Sequence, residues 1–281
     1  MMVDAIIIGK GPAGISSAVY LKRYGYEPLI IAKDGGALEK VESIENYYGF
    51  SHITGKELLE LGVKQAESLH IPMIQAEVLE INKDTTFSVV TNQGVYHAKV
   101  VILACGTSRN RYSKADQFEG VSYCATCDGF FYRKKKIALI GNGNYMAHEL
   151  SVLENICKEI IVFTDGRPLE VELRPEIQVV LGKIDEVLGE ERIQAIRVGE
   201  EVFSIDGCFI AIGNASGFTL AKHLGIGLSG NSILVNEKFM TNIEGLFACG
   251  DAIGGLLQIS KAVGDGASCA TAVSNYLKKN N

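Results

Sequence analysis

Twice along this chain an apolar run of strand length ends in a glycine turn and passes into a helical pattern, and a chain built on that repeat has few folds open to it. Residues 3–8 form the first run, followed by Gly9-Lys10-Gly11-Pro12-Ala13-Gly14 and by helical spacing over residues 15–21. Gly9 permits the sharp turn off the strand, Gly11 lets the backbone approach a pyrophosphate, and Gly14 lets the helix press on the sheet. The helix start then offers unpaired N–H groups and a partial positive charge to an anion. A further apolar run, residues 28–32, ends at Lys33-Asp34, which completes a βαβ unit with an acidic residue twenty positions after Gly14. Asp34 there either hydrogen-bonds an adenosine ribose or shapes the turn before Gly35-Gly36, and both readings stand.

The second instance begins at residues 136–140, turns through Gly141-Asn142-Gly143, and continues as a helical stretch over residues 146–156. A strand at 159–163 leads into Thr164-Asp165-Gly166-Arg167-Pro168, and further strand-rich passages end near residue 210. This is an internal duplication of a dinucleotide-binding unit. Near the C-terminus GLFACGDAIGG is a strand ending at Gly250-Asp251, and residues 259–276 form a helix rich in Ala and Gly that must pack closely. The expected fold class is α/β, with two Rossmann-like, three-layer domains, the second inserted into the first. Residues 1–113 and 238–281 make the first domain, and 114–237 the second.

A chain of 281 residues with 47% hydrophobic and 21% charged residues and 31 glycines suits a two-domain α/β enzyme. No apolar run approaches the roughly 20 residues that cross a bilayer, and the N-terminus enters a strand without a basic flank, so a cytoplasmic protein is expected, with no membrane partner. A net charge of −6 offers no global attraction to nucleic acid or anionic lipid.

Of seven cysteines, Cys105, Cys157, Cys208, Cys249 and Cys269 stand far apart, as small buried hydrophobes do. Only Cys124-Ala125-Thr126-Cys127 forms a close pair, and its spacing puts two sulfurs within bonding reach at a helix start, where free N–H groups lower a thiol pKa. Zinc is disfavoured, because there is no second C-x-x-C and the five histidines lack ligand spacing, so no metal is expected. Asp128, which follows directly, either shuttles the proton of thiol–disulfide exchange or stabilises the helix start.

GKGPAG at the N-terminus, IENYYGF at residues 44–50, CATCDG at 124–129 and LFACGD before Gln258 occur in one order and spacing along the chain. In this the sequence resembles the low-molecular-weight flavoprotein thioredoxin reductases over essentially its whole length. The resemblance implies FAD as cofactor, held by Gly9, Gly11, Pro12, Ala13, Gly14, Asn46, Gly106, Asp251, Gln258 and Ile259. Asp34, Gly36, Val78, Ala104 and Gly250 complete the candidate set. It also implies that Cys127 faces the flavin, that Cys124 attacks the protein substrate thioredoxin, that Asp128 is the acid–base group, and that the protein is a homodimer whose domains rotate to present the pair to each partner.

The chain departs from that family where the family reads NADPH. The second turn is Gly141-Asn142-Gly143-Asn144-Tyr145-Met146, with a bulky Met in place of a small residue and Tyr145 positioned to crowd the phosphate site, and the arginine stretch has become Thr164-Asp165-Gly166-Arg167-Pro168. A carboxylate at Asp165 would repel a 2′-phosphate. Either Asp165 binds the free 2′-hydroxyl of NADH, or the second domain binds no nicotinamide and carries only the cysteine pair. The latter resembles the ferredoxin-dependent flavin thioredoxin reductases and is the favoured expectation, since a flavin accepts electrons singly from an iron–sulfur donor and passes a pair to a disulfide. The ferredoxin would be a separate protein, because the chain has no cluster-ligating cysteine set. Arg133-Lys134-Lys135-Lys136 is either a steering patch for an acidic partner or a solvated turn.

Overall fold

The computed structural model describes residues 2–106, 112–213, 220, 223–230 and 232–280. The chain divides into two compact units, residues 1–108 with 216–281 and residues 109–215.

In the first unit, β1 (Met2–Ile8) runs into α1 (Pro12–Arg23) and then β2 (Pro28–Ala32), the βαβ order expected from the sequence. Pro12 stands in the first turn of α1, where its missing N–H costs nothing. The helix α2 (Gly55–Ser68) follows, opened by a capping box between Thr54 and Glu57. Next come β3 (Met73–Gln75), β4 (Val78–Lys83), β5 (Phe87–Thr91) and β6 (Gly94–Leu103). The sheet order is β3-β2-β1-β6-β5-β4. The ten-residue β6 serves two neighbours on one edge: residues 94–98 pair antiparallel with β5, while Val101, Ile102 and Leu103 pair parallel with β17 (Leu246–Ala248). Its apolar second half is buried from Val100 to Leu103, as a strand covered on both faces must be.

The second unit contains β7 (Val121–Ser122), α3 (Ala125–Asp128), β8 (Lys136–Ile140), α4 (Asn144–Leu153), β9 (Glu159–Phe163) and β10 (Gln178–Val180). An antiparallel sheet of β11 (Glu186–Gly189), β12 (Ile193–Val198) and β13 (Glu201–Ser204) precedes β14 (Gly207–Ile210). The main sheet is parallel throughout, in the order β10-β9-β8-β14-β7. Its β8-α4-β9 segment repeats β1-α1-β2. The helix begins two residues before the apolar pattern suggested, because Gly143 already takes an extended N-cap conformation.

The repeat extends to single hydrogen bonds. Gly9 N–H donates to the Ile31 carbonyl at 2.9 Å and Ala104 N–H to the Ile8 carbonyl at 2.9 Å; their counterparts are Gly141 to Phe163 at 2.9 Å and Ala211 to Ile140 at 2.8 Å. Both units therefore have the Rossmann-type α/β fold.

The contact division differs from the expected domain ranges at its second crossing, which falls at 215/216 rather than at 237/238. The short hairpin of β15 (Leu228–Ser229) and β16 (Ser232–Ile233) explains the difference. It is bonded to the first unit, with Gly227 N–H donating to Asn242 Oδ1 at 2.8 Å and Asn242 Nδ2 to the Gly225 carbonyl at 3.0 Å.

The closing helix α5 (Ile259–Asn280) lies on α1, and the approach is close enough to require glycine: a Cβ on Gly266 would stand 2.3 Å from the Ala13 carbonyl oxygen. Among the described residues no helix is long and apolar enough to cross a membrane. The tightest position in the first turn is Gly14, where a Cβ would meet the Gly9 carbonyl oxygen at 1.9 Å. Because backbone cannot yield as a side-chain tip does, Gly14→Ala should destabilise the first unit by at least the ~1–3 kcal/mol of an overpacked core, read as a lower thermal unfolding midpoint.

Candidate functional site

Cys124 caps α3, its sulfur accepting the Cys127 N–H at 3.0 Å, and is joined to Cys127 in a disulfide with the Cα atoms 5.3 Å apart. Cys124 is buried and Cys127 partly exposed. Ser122 ties the neighbourhood together: its hydroxyl donates to Asp128 Oδ2 at 2.6 Å and accepts the Cys124 N–H at 3.1 Å. Ser122 belongs to no motif of the sequence, although a serine two residues before a turn is an ordinary backbone-binding position. Since α3 has only four residues, it offers little macrodipole for Asp128 to complement. Asp128 lines an open cavity of about 470 Å³ with Ser122, Phe131, Tyr132, Lys135 and Arg192. Phe130 and Phe131, immediately after this turn, are each 70% exposed, an unusual state for phenylalanine.

In the first unit the C-terminal ends of β1, β6 and β17 converge, Cys249 N–H donating to the Leu103 carbonyl at 3.0 Å. Such strand ends are where ligands of open α/β sheets lie. Gly9 is forced by the Ala104 carbonyl oxygen, 2.4 Å from where a Cβ would stand, whereas Gly11 has nothing within 4 Å. Gly11 is also the N-cap of α1 and makes no side-chain cap bond, so the helix start keeps donors and room for an anion.

Beside it, a Cβ on Gly250 would touch the Ala13 side chain at 2.7 Å. Two residues the sequence did not single out hold this loop: Gly250 N–H donates to Asp265 at 3.1 Å, and Lys261 donates to the carbonyls of Gly250 and Gly254 at 2.9 and 2.6 Å. Asp251 Oδ1 is buried and has no hydrogen-bond partner among the described residues, and burial pushes its carboxyl above the usual range. A desolvated carboxylate oxygen left unmatched beside an uncapped helix start fits a ligand bringing both hydroxyls and phosphate, which is the chemistry of FAD.

The other candidates have the following surroundings. Asn46 Nδ2 donates to Gln258 Oε1 at 2.9 Å, joining positions 212 residues apart, and Ile259 opens α5. Asp34 Oδ1 accepts the Gly36 N–H at 2.9 Å at the end of β2, the turn-shaping role. Ala104 and Val78 are buried, and Gly106 takes a positive φ just beyond β6.

The second glycine turn keeps the backbone of the first and changes what surrounds it. Gly141 is again forced by a carbonyl, that of Ala211, at 2.3 Å. Tyr145 does not crowd the turn as the sequence suggested: it is buried, its hydroxyl donating to the Tyr123 carbonyl at 3.1 Å, and Met146 is fully buried. Two side chains lie against the turn: Met146, whose Cβ is 2.7 Å from where a Gly141 Cβ would stand, and Glu170. The N–H of Glu170 donates to the Asn142 carbonyl at 2.8 Å, its Oε1 accepts Asn142 Nδ2 at 3.2 Å, and its Oε2 is 3.0 Å from where a Gly143 Cβ would stand. Asp165 is engaged within the unit, its Oδ1 accepting the Ile184 N–H at 2.8 Å and facing Lys114 Nζ at 3.4 Å.

A model of the pyridine nucleotide-disulphide oxidoreductase family matches residues 3–266. The thioredoxin reductase of Ureaplasma parvum is 30% identical over 99% of this chain and 98% of its own length. Among solved structures, the atypical thioredoxin reductase of Desulfovibrio vulgaris Hildenborough is 35% identical with a TM-score of 0.90, over 99% of this chain and 98% of that one. A ferredoxin-flavin thioredoxin reductase from Clostridium acetobutylicum is 28% identical with a TM-score of 0.73, over 99% of both chains.

Burial pushes the Cys157 thiol up to about 11 and that of Cys105 to about 12, so both stay protonated near neutrality and ionise only as pH rises towards those values. Because the thiolate is the nucleophile, iodoacetamide applied to the reduced protein near neutral pH should modify Cys124 and Cys127 first, with Cys157 following only in strong alkali. Peptide mass spectrometry reads the order.

Proposed function

Because the chain belongs to the pyridine nucleotide-disulphide oxidoreductase family and is an FAD-binding flavoprotein of the thioredoxin reductase type, we propose that it reduces thioredoxin with electrons from reduced ferredoxin. The observation that carries the choice of donor is the Glu170 carboxylate at the second glycine turn. A nicotinamide dinucleotide would set its pyrophosphate at this helix start, and a carboxylate beside it repels that group. Asp165 supports the same reading, since its carboxylate is engaged within the unit by the Ile184 N–H and by Lys114. The second unit then serves as the carrier of the cysteine pair.

Gly9, Gly11, Pro12, Ala13, Gly14, Ala104, Gly106, Gly250 and Asp251 are the residues proposed to hold the cofactor's pyrophosphate and ribityl portion, with Asp34, Gly36 and Val78 towards the adenosine and Asn46, Gln258 and Ile259 towards the ring. Bound FAD would supply the electron pair that opens the Cys124–Cys127 disulfide. In the reduced pair, the Cys124 thiolate attacks the thioredoxin disulfide and forms a mixed disulfide, expelling one thioredoxin thiolate. Cys127 then attacks Cys124 Sγ, re-forming the internal disulfide and releasing the second thiolate. Asp128 takes the proton that frees the attacking thiolate and returns it to the leaving sulfur.

Exposed Phe130 and Phe131 offer apolar contact to a protein partner, and Arg133, Lys134 and Lys135 are exposed beside them for an acidic one. A homodimer in the cytoplasm completes the reading, with Tyr20, Tyr24 and Leu61 as the exposed apolar surface a second copy would cover.

Anaerobic thioredoxin reduction should proceed with reduced ferredoxin and not with NADPH or NADH, and turnover with either nicotinamide would overturn the assignment of donor. Cys124→Ser and Cys127→Ser should each keep the flavin spectrum and bring thioredoxin reduction to the background rate.

A further inference from the structure

The segment after β17 runs Gly250-Asp251-Ala252-Ile253-Gly254-Gly255, and its three glycines all take positive φ, at 70°, 75° and 80°. Glycine loses more conformational freedom on ordering than any other residue, so a loop built this way keeps one shape only where something outside it holds it. Two side chains of α5 do so. Asp265 Oδ2 accepts the Gly250 N–H at 3.1 Å, while Lys261 Nζ donates to the Gly250 carbonyl at 2.9 Å and to the Gly254 carbonyl at 2.6 Å. Lys261 and Asp265 stand one turn apart on the helix and pair with each other at 2.8 Å.

An ordinary ion pair at this helical spacing leaves its ammonium in water and contributes little. The Lys261 side chain is only 20% exposed, and its three donors have three oxygens around them, two on the loop and one on Asp265. Asp251 stands in the same loop and is left otherwise. Burial raises its carboxyl, Lys261 draws it down and Asp265 pushes it up, so it lies within the field of both, yet its buried Oδ1 has no hydrogen-bond partner among the described residues. The loop also abuts the first turn of α1, since a Gly250 Cβ would meet the Ala13 side chain at 2.7 Å. Lys261 and Asp265 direct their bonds to backbone and to each other, and of the three charged groups Asp251 keeps a buried acceptor to offer.

We propose that Lys261 is a positioning residue for the flavin: by pinning both ends of the 250–254 loop, it keeps the unmatched oxygen of Asp251 in place to accept a hydrogen bond from a hydroxyl of FAD. Lysine suits the task because its ammonium is a compact charge on a long flexible stem, able to face three oxygens at once, whereas the planar fork of arginine fixes the directions of its donors. Lys261 acts on the cofactor through Asp251, and without it the three glycines let that carboxylate leave its place. The role given to Lys261 rests on the reading that Asp251 holds FAD, and the two can fail separately.

Wild-type and variant holoenzymes are diluted in series, the flavin released at equilibrium is separated by ultrafiltration, and its fluorescence gives the dissociation constant of FAD. Lys261→Met keeps the apolar stem and removes the charge. It should raise that constant at least about fivefold, an effect of the size expected within one hydrogen-bond network, and Asp251→Asn should do the same. The double variant should bind FAD no more weakly than the weaker single variant, because both substitutions remove one contact. A smaller change in Lys261→Met beside a weakened Asp251→Asn would overturn the proposal and leave Asp251 as a flavin ligand. Losses that add in the double variant would overturn it as well, since Lys261 would then support the fold and not Asp251. Undiminished affinity in Asp251→Asn would remove both readings. Should the methionine variant not fold, Lys261→Arg decides in its place: a loss of affinity that is absent in the Asp251→Asn background supports the role of Lys261, and any other result overturns it.

Discussion

Backbone pressed against backbone at a glycine turn is the contact on which both units depend. At Gly9 and at Gly141 a neighbouring strand's carbonyl occupies the space a Cβ would need, at 2.4 and 2.3 Å. That crowding seats each helix directly over the end of its first strand and aims its free N–H groups at the crevice beyond the sheet. In the first unit Gly14 and Gly266 extend the same logic, letting α1 close on its own turn and α5 close on α1. The result is an uncapped helix start beside the unmatched carboxylate of Asp251, a site whose polar groups are arranged for a ligand rather than for each other.

The second unit shows how little must change to redirect such a site. The turn geometry and its hydrogen bonds persist, yet the donors that would face a pyrophosphate have a carboxylate from the same unit beside them. Three carboxylates of this unit take up nearby donors: Glu149 accepts the Ala125 N–H, Asp165 the Ile184 N–H, and Glu170 the Asn142 side-chain amide.

Much of this was legible in the residues, because it depends on contacts within a few positions. The two glycine turns, the strands at 28–32, 136–140 and 159–163, and the pairing of Cys124 with Cys127 follow from local spacing and from apolar runs of strand length. The start of α4 was read late because the signal lies in the conformation of Gly143 and not in hydrophobic period. The second domain boundary was displaced because a short polar hairpin carries no mark of the surface it will bond to.

The sequence by itself determined the α/β class, the duplicated turn and the disulfide, since strand, turn and three-residue cysteine spacing are decided by neighbours along the chain. Only the tertiary structure decided that Glu170 joins Met146 at the second turn, that Tyr145 faces inward, that Ser122 binds Asp128, and that Glu149 reaches the backbone of the redox turn. Glu149 and Glu170 lie 24 and 28 residues from the groups they bond, Ala125 and Asn142. Separations of that size are set by how a helix and a loop pack on one sheet, and no periodicity in the chain records them.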